Sequence, residues 1–376
     1  MRLAYRFGSA VVDVETGEPG SGAWLSEFLQ PWAEALTGGR GRSLVRMTAS
    51  ATACDAFDHG RDTASLRQVP CFALDSGVVV LPGWDQDGGT VIADMEFECY
   101  YRLTPGAVEV VARPGNRRAR IGLMRVVREM LAAPALAGGG IADLHAAAFA
   151  VAGRAVLLAG AKGCGKTTML IHALTSGSAD FVANDRVFVD GRGHATDAVG
   201  LPTVVSIRHE TLRVFPRLWK NGACQPVSAS LGELARSGVA GGGAEAVASG
   251  LRLSPVQFAR RLGAGVVRGG PIAAVVFPGI APAAETWSFE RMSPHEGAAS
   301  LRACLYGTGT APRVPTVFAR AAVGAADPAD QAGIVERVAA RVPCVRGHMG
   351  LRTYHGSPAA WLRALSLPPE PSAQER

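Results

Sequence analysis

No CxxC pair occurs in the chain, and its seven cysteines, Cys54, Cys71, Cys99, Cys164, Cys224, Cys304 and Cys344, are scattered singly. An odd, dispersed set excludes a disulfide framework and a cysteine zinc site, and it implies a reducing, cytoplasmic setting. Long hydrophobic runs are also lacking. The most apolar stretch, Ala146 to Ala161, is broken by Arg154, and the first residues, Met1 to Phe7, lack the apolar segment of an export signal. Neither a membrane span nor secretion is expected. Charge of one sign is scarce: 38 basic and 32 acidic residues, spread along the chain, leave a formal net charge of +6. That balance suits anionic ligands such as nucleotide phosphates and argues against a nucleic-acid partner. The densest basic run, Arg113 to Arg120, reads as a solvated linker face. No internal repeat is visible.

What is present is enough for two domains: 376 residues, 48% of them hydrophobic. Alternation from Leu3 to Val14 reads as a strand, followed by a glycine-rich loop and a short amphipathic helix from Ala23 to Trp32. Further strands are expected at Val69–Leu74, Gly77–Leu81, Thr90–Glu98, Tyr100–Leu103 and Ala107–Ala112, with turns at Pro82-Gly83 and Pro105-Gly106. Arg118 to Ala133 carries apolar residues at helical spacing and stops at Gly138-Gly139-Gly140. These readings divide the chain into a smaller β-rich α+β domain, residues 1–137, for substrate recognition or assembly; a second domain, residues 138–366; and a disordered tail, residues 367–376.

The second domain holds the strongest motif. An apolar run, Ala155 to Ala159, reads as a buried strand, and Gly160-Ala161-Lys162-Gly163-Cys164-Gly165-Lys166-Thr167 follows it. Thr167 to Thr175 then has helical spacing up to Gly177. Strand, glycine loop and helix in this order form a P-loop, in which backbone N–H groups and the positive end of the helix cradle phosphate. Lys166 supplies a charge for the β- and γ-phosphates of ATP or GTP. Thr167, with Thr168 beside it, places a hydroxyl where Mg²⁺ binds. Cys164 reads as a small filler in a variable loop position, although a thiol beside a helix N-terminus can gain reactivity. Beyond the loop, Phe181 to Val189 reads as a strand interrupted by Asn184-Asp185. Asp185 suits a metal ligand or a general base, and a turn aspartate between two hairpin strands is the structural alternative.

The order of these residues resembles the HPr kinase/phosphorylase catalytic domain and its kinase relatives. That family has a histidine in an apolar segment ahead of the P-loop, then GxSGxGKS, a helix, and an Asp-Asp pair followed by Arg and Val. Here the series is His145, the 160–167 loop, the helix, and Asn184-Asp185-Arg186-Val187. Three departures stand out. Lys162 replaces the loop serine, Asn184 replaces the first aspartate, and the family's Arg-Gly-Leu-Gly segment has no counterpart. The resemblance implies an α/β P-loop kinase domain of the HPr kinase/PEP-carboxykinase type, with Asp185 as general base and His145 beside the acidic residue. Asn184 can orient a hydroxyl but cannot take its proton, which argues against the reverse phosphorolysis. Glu210 is the residue whose distance beyond Asp185 suits the family's metal-binding glutamate. Arg208 and Arg252 are further basic residues suited to transition-state charge or to surface pairs.

The expected activity is therefore transfer of the γ-phosphoryl group of ATP or GTP, with Mg²⁺, to a hydroxyl. The resemblance makes the acceptor a serine of a protein or peptide. A small-molecule kinase on the same core and a catalytically inactive nucleotide-sensing module are the alternatives, and homo-oligomer formation is compatible with either domain. Gly269 to Pro278 reads as another buried strand, and Pro343 to Leu365 as a strand-like segment and a helix.

Overall fold

The computed structural model describes residues 1–18, 20–37, 43–74, 77–192, 196–215, 218, 251–281, 287–306, 316–318 and 328–350. The tail at 367–376 and the helix read before Leu365 lie outside them. The chain divides into two compact units of mixed α/β structure. The first holds residues 1–139 and is rejoined by 316–318; the second holds most of the remainder from Gly140 onward.

In the first unit the chain runs β1 (Arg2–Phe7), β2 (Ala10–Thr16), α1 (Ser21–Leu29), β3 (Glu34–Leu36), β4 (Ser43–Ala49), α2 (Ala51–Thr63), β5 (Arg67–Leu74), β6 (Gly77–Gln86), β7 (Gly89–Asp94), β8 (Cys99–Thr104), β9 (Ala107–Ala112) and α3 (Ala119–Ala137). The nine strands make one sheet in the order β3-β1-β2-β4-β9-β8-β7-β6-β5. Only β2–β4 and β4–β9 pair in parallel. The alternating segment from Leu3 to Val14 is thus a hairpin, not one strand. A tight turn at Gly8-Ser9 keeps the alternation in phase, so sequence pattern alone hides the reversal. Residues 43–63, which gave no expected element, form β4 and α2. Ser50 caps α2 by accepting from the Ala53 N–H.

Neighbouring strand residues face opposite sides of the sheet, and β8 shows both. Tyr100 packs edge-on against Phe57 of α2 and Trp84 of β6. Tyr101 meets Phe72 and Phe318 on the other side, where α3 lies. Its buried hydroxyl donates to Asp94 Oδ2 at 2.7 Å, and Asp94 Oδ1 accepts from the N–H groups of Glu96 and Phe97. Burial pushes the Asp94 carboxyl above its ordinary range. The basic run at 113–120 is the turn into α3 rather than a linker. Arg113 pairs with Asp55 and Asp58, Arg118 with Glu98 and Arg120 with Glu18.

The second unit runs β10 (Ile141–Val151), β11 (Arg154–Ala159), α4 (Lys166–Leu174), β12 (Asp180–Ala183), β13 (Arg186–Asp190), β14 (Asp197–Gly200), β15 (Val205–Ile207), α5 (His209–Val214), β16 (Leu251–Leu253), α6 (Pro255–Arg261), β17 (Gly269–Ile280), β18 (Ser288–Arg291), α7 (Pro294–Arg302), α8 (Pro328–Arg341) and β19 (Cys344–Met349). Its main sheet follows β11-β10-β13-β14-β17-β19-β18. The first residues of β17 pair with β14, and its next ones run parallel to β11. The pairings therefore close a ring, β11-β10-β13-β14-β17-β11. Such closure leaves these strands no free edge around the apolar core of Leu144, Leu157, Val187, Val275 and Leu301. Among the described residues, no helix is long and apolar enough to cross a membrane.

Gly122 on α3 tests the packing of the first unit. A methyl group there would lie 2.8 Å from Tyr101 Oη and 3.0 Å from Cys99 Sγ. Alanine gains about 1 kcal/mol of helix propensity over glycine, whereas forcing extra volume into a packed core costs about 1–3 kcal/mol. Overpacking wins, because the tyrosine is held by Asp94. Gly122→Ala is expected to lower the urea unfolding midpoint; an unchanged or higher midpoint would show that α3 lies farther from the sheet.

Candidate functional site

β11 ends at Ala159, and the chain turns through residues 160–165 before α4 starts at Lys166. Three glycines shape the turn, Gly160 with φ 144°, Gly163 with φ 91° and Gly165 with φ 109°, values that side-chain-bearing residues rarely adopt. Gly165 is also crowded: a Cβ there would sit 2.5 Å from Met349 Cε and 3.0 Å from Ile280 Cγ1. The Cys164 N–H donates to the Ala161 carbonyl at 3.3 Å. Lys166 is buried, and its Nζ donates to the carbonyls of Gly160 at 2.5 Å and Ala161 at 3.1 Å. The ammonium is thus held inside the turn by the loop's own backbone. Thr167 and Thr168 are half-buried in the first turn of α4, while Ala161, Lys162 and Gly163 are exposed. Orphan N–H groups of that turn and the positive end of the helix make a place for an anion.

Strand register brings the other candidates to the same end of the sheet. Ala159 pairs with Ala146 across β10–β11, and His145 pairs with Arg186 across β10–β13. The start of the loop, His145 and the start of β13 therefore form one row across three strands. β12 and β13 both pair with β10 and form one interrupted strand, not the two arms of a hairpin. Asn184 and Asp185 are the interruption. The Asp185 carbonyl still accepts from the Ala146 N–H at 3.1 Å. Strict alternation would turn the Asp185 side chain away from His145. The bend breaks alternation, and Asp185 Oδ1 lies 3.4 Å from His145 Nδ1. That is an ion-pair separation, longer than the usual N–H···O bond of about 2.7–3.2 Å. His145 is largely buried, whereas the Asp185 side chain is 39% exposed. A carboxylate so placed can be reached by a substrate hydroxyl.

Asn184 has a tie of its own: its Oδ1 accepts from Thr203 Oγ1 at 2.9 Å, joining the bend to the segment after β14. Arg208 precedes α5, Arg252 lies on the β15–β16 ribbon opposite Ser206, and both are exposed. Glu210 lies in α5, and its side chain is outside those described. Among the described residues no three His, Cys, Asp or Glu side chains converge on one point. Mg²⁺ does not require such a cage, since one or two carboxylates and phosphate oxygens hold it in nucleotide sites.

Three features escaped the sequence. Asp143 of β10 and Arg186 of β13 form a buried ion pair, with Nη2 to Oδ2 at 2.7 Å and Nε to Oδ1 at 3.0 Å. They sit diagonally on one face, directly beside His145 and Asp185. Thr203 is the second. The third is Cys304, whose carbonyl accepts from the His145 N–H at 2.7 Å. Arg186 stands in the quoted series, but no local pattern marks its pairing with Asp143, nor Thr203 or Cys304, because each partner is distant in sequence.

On the far side of the loop helix, His172 packs edge-on against Phe215 and Trp287, with ring centroids 4.7 and 5.1 Å away. Burial lowers its imidazole to about 4. Compared with family models and with curated proteins, the chain matches none.

Two stability predictions follow from these contacts. Removing one partner of a buried ion pair costs about 3–5 kcal/mol, because the other charge is left unpaired. Arg186→Met alone is therefore expected to destabilise more than Asp143→Leu combined with Arg186→Met; denaturant titration of a double-mutant cycle measures it. For His172, the folded chain resists a proton that the unfolded chain takes up near 6.5. Its contribution is full above about 6.5 and is lost as pH falls through about 4. Thermal unfolding of His172→Phe should show a shallower loss across that window than the parent; an identical slope would exclude His172 as the source.

Proposed function

We propose that the protein is an ATP- or GTP-dependent phosphotransferase whose second unit is a P-loop kinase domain of the HPr kinase/PEP-carboxykinase type. The observation carrying this reading is the three-strand row that joins the P-loop, His145 and Asp185. A phosphate loop without a neighbouring base would serve binding alone, and here both stand at one end of the sheet.

In this reading the polyphosphate lies at the N-terminus of α4, where Lys166 exchanges backbone carbonyls for phosphate oxygens. Thr167 and Asp185 carry oxygen donors of the type Mg²⁺ selects. When bound, Mg²⁺ neutralises the charge that develops on the transferring phosphoryl group. Asp185 takes the proton of the acceptor hydroxyl as its oxygen attacks phosphorus. His145 fixes the orientation of the carboxylate from the buried side. Asn184, tied to Thr203, holds the bend rather than accepting a proton. One carboxylate serves the forward transfer, and this favours a one-way kinase over an enzyme that also runs phosphorolysis. A serine of a protein or peptide is the proposed acceptor, following the resemblance of the His145 to Val187 series, and a reducing cytoplasm is the proposed setting.

The test is incubation with γ-labelled ATP and Mg²⁺ together with candidate peptides and a metabolite mixture, for the parent, Lys166→Ala and Asp185→Asn. Lys166→Ala is expected to lose nucleotide affinity. Asp185→Asn should keep affinity while transfer falls by about 10²–10⁴-fold, the usual contribution of general-base catalysis. Label in a metabolite alone would make the protein a small-molecule kinase. Tight binding with no labelled product in any fraction would leave a nucleotide-sensing module, and undiminished transfer by Asp185→Asn would remove Asp185 as base.

A further inference from the structure

The phosphate loop carries one thiol, Cys164, and the fold brings a second, Cys304, to the same glycine. β11 leaves the ladder of β10 at Ala159, and residues 304–305 take its place alongside β10. Leu305 bridges Leu144, and Cys304 accepts from the His145 N–H. Residues 304–305 lie on the side of β10 that β11 occupies up to Ala159, which sets Cys304 beside Gly160, the next residue of the chain. From the loop side, Cys164 Sγ lies 2.9 Å from the position a Cβ of Gly160 would occupy. Both cysteines thus flank one residue, and both are free thiols.

We propose that Cys164 and Cys304 are a peroxide-responsive pair whose disulfide closes the phosphate loop to nucleotide. The consequence for nucleotide rests on the reading above; formation of the disulfide does not. Cys164 is half-buried on the loop whereas Cys304 is buried, so Cys164 is the thiol that peroxide reaches first. Its thiolate attacks hydrogen peroxide, an S–O bond forms, the O–O bond breaks, and the departing hydroxide takes up the proton shed by the thiol to become water. Cys304 then loses its proton and attacks the Cys164 sulfur. The S–S bond forms, the S–O bond breaks, and the leaving hydroxide takes that proton as a second water. Two thiols are oxidised by two electrons and one peroxide is reduced to two waters. Burial pushes the Cys304 thiol up and the Lys166 charge acts against that rise, which suits a buried resolving thiol over a first-reacting one.

A disulfide would hold residue 164 against residue 304. The loop would stay in the arrangement where the Cys164 N–H donates to Ala161 and Lys166 donates to the carbonyls of Gly160 and Ala161. Phosphate needs those donors turned toward it.

The test treats the full chain with hydrogen peroxide, digests it without reductant, and identifies linked peptides by mass spectrometry. A fluorescent ATP analogue is titrated in parallel before oxidation, after it, and after a thiol reductant. A Cys164–Cys304 peptide is expected, with affinity lost on oxidation and restored on reduction. Cys304→Ala, and Cys304→Val as a second variant closer to the buried volume, should keep the same affinity with and without peroxide. Absence of the linked peptide, unchanged affinity in the linked protein, or equal peroxide sensitivity in the Cys304 variants would each overturn the proposal. A reduced protein that binds no nucleotide would instead overturn the nucleotide reading, and the linked peptide would still decide whether the pair forms.

Discussion

The buried pair of Asp143 and Arg186 is the constraint on which the candidate site depends. Two charges removed from water persist only when each satisfies the other, and here the guanidinium grips both carboxylate oxygens. Such a pair adds little net stability compared with an apolar pair of equal volume. Its effect is on register: a slip of one residue between β10 and β13 would turn Asp143 and Arg186 to opposite faces and leave both charges unpaired. Because His145 and Asp185 flank the pair, fixing that register also fixes their approach. The interruption at Asn184-Asp185 then brings the carboxylate back toward the imidazole, which a regular strand could not do.

The glycine loop depends on the same row in a second way. Its first residue leaves β11 where β10 changes partners, from Ala159 to the segment at Cys304. A loop starting there has the Asp185 carboxylate on one side of β10 and a buried cysteine on the other. The ladder that positions the Asp185 carboxylate also positions Cys304, so the proposed redox response needs no extra element. In the first unit, Tyr101 and Asp94 play a comparable fixing part. One hydrogen bond between two buried groups decides how closely α3 approaches the sheet, and Gly122 is the residue that permits it.

Much of this was legible in the chain. Strand, glycine loop and helix followed one another as the spacing required, since a glycine-rich turn between a strand and a helix is a local property of the backbone. The strands from β5 to β9 and the helix α3 were also marked, but Pro82-Gly83, expected to be a turn, lies inside β6, which runs on to Gln86 and pairs there with β5 and β7. Elements whose pattern is weak were not. α2 has few apolar residues, with His59 and Gly60 inside it, and is recognisable mainly by the Ser50 cap. The hairpin of β1 and β2 was hidden because its turn preserves the alternation. The basic run at 113–120 looked solvated because its carboxylate partners, Asp55, Asp58, Glu98 and Glu18, lie far off in sequence.

The sequence by itself determined the strand, glycine loop and helix, the candidate base Asp185 and the histidine ahead of them, because their order and spacing are one-dimensional facts. Tertiary structure decided what stands beside what. It closed the strand ring, set the row from Gly160 through His145 to Asp185, tied Asn184 to Thr203, buried Asp143 against Arg186 and put Cys304 on the loop. Each of these is a contact between strands or segments separated along the chain. Their register is set by core packing and charge pairing, which no local pattern records.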